Sequence, residues 1–216
     1  MSNTQQAITC PKCGQVQSQT IYERISAVES PELREKILKN QLYKFTCNNC
    51  SNTLTLLYPS LYHDAVSGFM IYLIPEKDQE RYGSLELDSI MEEYLNLKTT
   101  RIVRIPNQLA EKIIIFENGL DDRLVELVKQ ETIYFLQNQH DAPEILEVYL
   151  NKSENGYYFV IIHGPDDFRT IDVDEKVFDI ALKKYESYLI QPAPFAIIDQ
   201  LWASHIFNQH LKLVSS

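Results

Sequence analysis

The chain has 216 residues, 44% of them hydrophobic and 23% charged, a balance that gives a packed core and excludes a disordered chain. Its net charge of −10 repels nucleic acid and anionic membranes unless a local patch overrides it. Six scattered glycines cannot form a Gly-rich phosphate cradle, which excludes the P-loop and dinucleotide fingerprints.

The first residues are polar and uncharged, without the basic start and apolar run of a signal peptide. No window approaches the roughly 20 apolar residues that span a bilayer. The expected location is cytoplasmic, with no membrane partner and with thiols kept reduced. Cys10 and Cys13 come first, in Ile8-Thr9-Cys10-Pro11-Lys12-Cys13-Gly14. Residues 20–28 then read as a strand. Ser30-Pro31-Glu32 reads as a helix start, with Ser as cap, Pro in the first turn and an early acid. Leu33, Ile37 and Leu38 share a face of that helix, and Asn40 stops it. Tyr43 and Phe45 alternate into Thr46-Cys47-Asn48-Asn49-Cys50-Ser51.

The four cysteines thus read C-x2-C-x33-C-x2-C, and the two halves repeat each other. Each is a strand-like approach ending in Thr, a Cys-x-x-Cys turn and a small residue. One tight turn presents two sulfurs to one ion, and two facing turns complete a tetrahedral shell. Gly14 lets the backbone behind the first turn take a positive φ, and Ser51 is a weaker equivalent. Cys10, Cys13, Cys47 and Cys50 are therefore the expected ligands of a structural zinc, with no open position for catalysis. The alternatives are unrelated thiols and a redox dithiol, the latter of which would instead place a single Cys-x-x-Cys before a helix in a βαβ setting.

Residues 53–58 and 69–74 read as the two strands of a hairpin, with His63 and Asp64 in the connection. Residues 84–97 read as a helix on the spacing of Leu87, Ile90, Met91, Tyr94 and Leu95. A strand follows over 100–105. A helix capped by Asn107 stops at Asn118-Gly119, and another starts at Asp121-Asp122. The polar stretch 137–141 before Pro143 is the expected domain boundary. Beyond it, 145–150 and 157–162 form a hairpin on an Asn155-Gly156 turn, and 168–173 adds a third strand. Asp174 caps a helix, and a last amphipathic helix follows Pro192-Ala193-Pro194.

The chain resembles the bacterial and archaeal CpXC-domain proteins. The resemblance rests on Cys10-Pro-Lys-Cys13, residues 31–38 (PELREKIL), Phe45-Thr-Cys47, residues 57–64 (LYPSLYHD), residues 69–75 (FMIYLIP), and 109–113 (LAEKI) through 118–123 (NGLDDR). Family members resembling this chain carry two Cys-Pro-x-Cys turns. Here the second is Cys47-Asn-Asn-Cys50, which lacks the Pro and keeps the ligands. The resemblance implies a zinc-ribbon-like module of unknown function and supplies no reaction.

Other chemistry is thin. Adjacent side chains on an extended segment point apart, so His63-Asp64 reads as a turn in which Asp64 bonds its own backbone rather than as a catalytic pair. His163, Asp166 and Asp167 read as a solvated loop. Asp121 and Asp122 suit a helix start, and His205 and His210 do not share a helical face. No catalytic or cofactor-binding residue is assigned. Residues 1–56 hold six Lys/Arg against four Asp/Glu, and the remainder 14 against 26. The ribbon is therefore the one region with a basic balance, and its cations are interleaved with acids.

The expected fold is α+β: a zinc-ribbon-like module with helical insertions and extension over 1–140, then a small antiparallel sheet of three strands with two helices over 141–216. The expected function is a zinc-binding, non-catalytic protein-interaction or regulatory protein. Its partner is another protein rather than nucleic acid, and a homo-oligomer is left open. The alternatives are nucleic-acid binding through the ribbon face and a metal- or thiol-dependent enzyme.

Overall fold

The computed structural model describes residues 2–80 and 97–214. The helix expected over 84–97 lies outside them, apart from Leu97. The chain divides into two compact units, Met1–Ala110 with Pro194–Ala196, and Glu111–Ala193 with Ile197–Ser216. The 137–141 stretch lies inside the second. Together the units make the mixed α+β protein expected, with the cysteine cluster near the N-terminus. Among the described residues, no helix is long and apolar enough to cross a membrane.

In the first unit, β1 (Ser2–Thr9) and β2 (Val16–Ser26) form an antiparallel hairpin whose tip carries Cys10 and Cys13. Helix α1 (Pro31–Leu38) follows. It buries Leu33 and Ile37 and ends at Asn40, whose φ of +53° breaks the helical run. Strands β3 (Lys44–Thr46) and β4 (Thr53–Thr55) form a second, shorter hairpin whose tip carries Cys47 and Cys50.

Strands β5 (Ser60–Asp64), β6 (Phe69–Leu73) and β7 (Thr99–Val103) complete a sheet in the order β1-β2-β5-β6-β7. β5 pairs antiparallel with β6, while β2–β5 and β6–β7 are parallel. All five residues of β6 are buried, which explains why Phe69-Met70-Ile71-Tyr72-Leu73 is continuously apolar instead of alternating.

The hairpin partner of β6 is β5, not the segment after Cys50, and His63 and Asp64 lie on β5 itself. Pro59 has no N–H to give to a ladder and ends the earlier extended run. Leu61 and Tyr62, both buried, supply the apolar strand expected over 53–58.

The edge strand β7 is covered by residues from far along the chain. Ala196 pairs parallel with Arg101, the Phe195 N–H donates to Thr100 Oγ1 at 2.8 Å, and the Phe195 ring is buried with Leu61, Met70, Tyr72 and Ile74. Phe195 holds a φ of +56°, a conformation that costs a bulky residue energy and that burial of the ring offsets.

Helix α2 (Pro106–Glu117) runs from the first unit into the second and ends at Asn118-Gly119, where Gly119 has a φ of +69°. Helix α3 (Asp122–Gln137) starts at Asp121, whose side chain accepts from the Arg123 N–H. Strands β8 (Glu147–Ser153), β9 (Gly156–Gly164) and β10 (Asp167–Val173) form a three-stranded antiparallel sheet in the order β10-β9-β8. Helix α4 (Lys176–Tyr185) opens with the Asp174 carboxylate accepting from the Lys176 N–H, and α5 (Gln200–Val214) ends the described chain. Tyr157, Phe159 and Ile161 of β9 point into a core shared with Leu124, Leu127, Phe178, Ala203 and Phe207. Tyr158, Val160 and Ile162 point the other way and are half-buried, the alternation of a sheet with one packed face.

Candidate metal centre

The two Cys-x-x-Cys turns have the same backbone. In the first, the Cys10 N–H donates to the Gln15 carbonyl at 2.9 Å and the Gly14 N–H to the Cys10 carbonyl at 2.9 Å. In the second, the Cys47 N–H donates to the Asn52 carbonyl at 2.9 Å and the Ser51 N–H to the Cys47 carbonyl at 2.9 Å. Each knuckle closes on a left-handed residue, Gly14 at φ +74° and Ser51 at φ +56°. The repeat legible in the sequence is thus a repeat of geometry.

A Cβ at position 14 would meet nothing within 4 Å, so the requirement for glycine there is one of backbone alone. Gly14→Ala is expected to cost about 1 kcal/mol through the left-handed φ. A denaturant midpoint unchanged from wild type would contradict this.

The four thiols are free and converge, with all four sulfurs within 4.8 Å of one another. The Cys10 and Cys50 sulfurs are 3.6 Å apart, and so are those of Cys13 and Cys47. These close approaches run between the knuckles rather than within a Cys-x-x-Cys pair, and they are far longer than a disulfide bond of about 2.05 Å. A tetrahedron of sulfurs about 2.3 Å from a central ion has edges of about 3.8 Å, which these separations fit. Cys10 and Cys47 are buried on Phe45, with Ile8, Leu54 and Leu56 packed around them, whereas Cys13 is exposed.

The sulfurs are electrostatically unequal. The Gln15 backbone N–H, then the Asn49 side chain, hold the Cys13 thiol down to about 6. At Cys50 the Asn52 backbone N–H pulls the same way. Burial and hydrogen bonds with the other three cysteines outweigh it and push that thiol up to about 12. Cys13 thus forms a thiolate readily, while Cys50 resists, held protonated by burial and by the neighbouring thiols. A cation at their centre removes that opposition, so these four residues could hold a metal ion.

The other residues singled out in the sequence do not assemble into a site. Asp64 accepts from the N–H groups of Val66 at 2.9 Å and Ser67 at 3.0 Å and from the Ser67 hydroxyl at 2.7 Å, the self-bonded turn expected of it. Burial pushes its carboxyl up, but those donors outweigh it and leave it below the usual range. His163 Nδ1 bonds the Glu144 carbonyl, and Asp166 and Asp167 are exposed at the β9–β10 turn. His205 meets Gln209, and the His210 ring packs on Tyr185 and Tyr188.

A second polar constellation escaped the sequence reading. Glu111 and Lys112 of α2 and Asp122, Glu126 and Lys129 of α3 are all at least 97% buried. Lys112 Nζ lies 3.1 Å from both Asp122 and Glu126. Lys129 Nζ lies 2.9 Å from Glu111 and 3.0 Å from Glu126. Glu111 also accepts the Leu150 N–H of the edge strand β8 at 2.6 Å. Burial pushes the Glu111 carboxyl up against the pull of Lys129, while Asp122 and Glu126 hold the Lys112 ammonium above its ordinary value against burial. From Leu124 to Lys129 every residue of α3 is buried, and a helix stretch covered on all sides buries its charges too, a tertiary fact that the sequence does not carry.

Fold and site together define an α+β protein with a four-cysteine centre suited to a metal ion. A family model described as CpXC protein matches residues 8–129, more than half of the chain. The chain belongs to the CpXC family. The matched stretch takes in all four cysteines and all five members of the buried charge network. No curated protein and no solved structure matches the chain.

Proposed function

We propose that the protein holds one structural zinc ion through Cys10, Cys13, Cys47 and Cys50 and acts as a non-catalytic protein-interaction or regulatory protein in the cytoplasm. The observation that carries the metal reading is the convergence of four sulfurs at tetrahedral spacing. An all-sulfur tetrahedral set is a donor set for zinc or iron, and zinc brings no redox chemistry to a site that has to hold a fold. When bound, the ion supplies a cross-link between the two hairpins. Four protein ligands fill its shell and leave no position for a substrate.

The partner is another protein. Support comes from the outward face of the three-stranded sheet, where Tyr158, Val160 and Ile162 lie beside Phe168, which is 65% exposed. Aromatic and apolar groups raised on a rigid sheet favour protein contact. The net charge of −10 disfavours nucleic acid.

Elemental analysis of protein purified without chelator is expected to give about one zinc per chain, lost in a Cys10→Ser/Cys13→Ser variant. Iron in place of zinc, or a metal content well below one, would refute the metal reading.

A further inference from the structure

The two knuckles are not equally anchored. The first sits on the β1–β2 hairpin, which is paired from Ser2 to Thr9 and continues into the five-stranded sheet. The second sits on β3–β4, a ladder of three residue pairs in a sheet of its own. Half of the ligand set is therefore held by the body of the unit, and half by a short ribbon that must be kept in register with it.

The Gln17 side chain spans the two. Gln17 lies on β2, just beyond the first knuckle, and its carboxamide reaches the second. Its Oε1 accepts the Asn48 N–H at 2.9 Å, and its Nε2 donates to the Thr46 carbonyl at 3.1 Å. Those are the backbone groups on either side of Cys47. The carboxamide offers one donor and one acceptor, as a peptide group of a neighbouring strand would, and so adds a rung to a ladder that has stopped at Thr46. A glutamate would set a carboxylate oxygen against the Thr46 carbonyl, an asparagine is one methylene short, and alanine supplies neither group.

We infer that Gln17 is a positioning residue for the metal centre: it fixes Cys47 and Cys50 relative to Cys10 and Cys13, so that the four sulfurs stand close together before the ion arrives. This rests on the metal reading above. A preassembled site binds more tightly because less ordering is left for the binding step, and outer groups that orient ligands commonly account for 10- to 100-fold in metal affinity.

The test measures zinc affinity of the full chain by competition with a chromogenic chelator, and the visible spectrum of the cobalt(II)-loaded protein. Gln17→Ala is expected to weaken zinc binding about ten-fold or more and still to take up one metal. Its cobalt spectrum at saturation should keep the intense bands of a tetrahedral thiolate site. Gln17→Glu should be weakened as well. Gln19→Ala, a change of the half-buried glutamine two residues further along β2, should match wild type. Trp202, in the second unit, reports that this unit is unchanged, and limited proteolysis within residues 2–56 reports the fold around the metal centre. Affinity of Gln17→Ala within two-fold of wild type would overturn this inference alone. A wild-type chain that takes up neither zinc nor cobalt would overturn the metal reading and this inference with it.

Discussion

Cys47→Ser is expected to abolish stoichiometric metal binding and to open the second knuckle to protease, while the core around Trp202 stays folded. Cys47 is buried against Phe45, and its sulfur stands 3.6 Å from that of Cys13. A serine hydroxyl there is a poor ligand for a soft thiolate site and leaves three sulfurs around the ion. Zinc binding in small thiolate sites is worth roughly 10–16 kcal/mol near neutral pH, and in such modules it is folding free energy. That is as large as the whole stability of an ordinary domain, roughly 5–15 kcal/mol. Without it the second hairpin keeps only its three-residue ladder, the burial of Phe45 and the Gln17 bridge. An isolated two-stranded hairpin is marginal in water.

The first early cut is therefore expected within residues 44–56. The rest of the first unit has support of its own in β5, β6 and β7 and in the buried Phe195. The second unit has a separate core, in which Trp202 packs with residues that all belong to that unit. Limited proteolysis read by mass spectrometry, together with Trp202 emission, checks both halves of the expectation. A red shift of Trp202 emission that accompanies the first cut would show that the two units unfold as one.

What was legible in the sequence follows from the range over which each signal acts. The knuckles were legible because Cys-x-x-Cys followed by a residue at positive φ is a local requirement, met twice within seven residues each time. The stops at Asn40 and Gly119, the cap at Asp121 and the Asn155-Gly156 turn are local in the same sense. The pairing of β5 with β6 was missed because an extended, apolar run after Cys50 looked sufficient as a partner, and only the sheet shows that Leu61 and Tyr62 take that place. Gln17 gives no sequence signal at all, since its partners lie 29 and 31 residues away and are backbone groups. The return of Phe195 to β7 is hidden for the same reason, with 95 residues separating it from Thr100. The five buried charges are illegible because charge on a helix is exposed by default, and the burial of α3 from Leu124 to Lys129 is a tertiary fact.

Those charges carry the second large effect. Lys129→Met is expected to destabilise the second unit by about 3–5 kcal/mol, the usual cost of removing one partner from a buried ionic network. The substitution keeps the volume of the side chain and removes the ammonium that touches Glu111 at 2.9 and 3.0 Å and Glu126 at 3.0 Å. Three buried carboxylates then share Lys112 alone. Asp122 and Glu126 keep that contact, and both lie near the N-terminus of α3, where the helix dipole favours negative charge. Glu111 keeps the Leu150 N–H and the electrostatic pull of Lys112 but loses its direct ion pair, so it bears most of the loss.

The pH dependence has a definite sign. Burial already raises the Glu111 carboxyl, and removing Lys129, the largest opposing pull, raises it further. A carboxyl whose folded pKa lies above its unfolded value, about 4.3, favours folding when protonated, and that stability is lost as pH rises through the folded pKa. The deficit of Lys129→Met is therefore largest at neutral pH and shrinks as pH falls toward the ordinary carboxylate range. Adding Glu111→Gln removes the stranded charge and keeps an oxygen for the Leu150 N–H, so the double variant should recover much of the loss. Denaturant unfolding followed through Trp202 measures both variants, and metal content serves as a control because the four cysteines belong to the other unit. A loss below about 1 kcal/mol, or one that does not change with pH, would mean that water reaches Lys129 and Glu111 and that the network is not the closed ionic core described above.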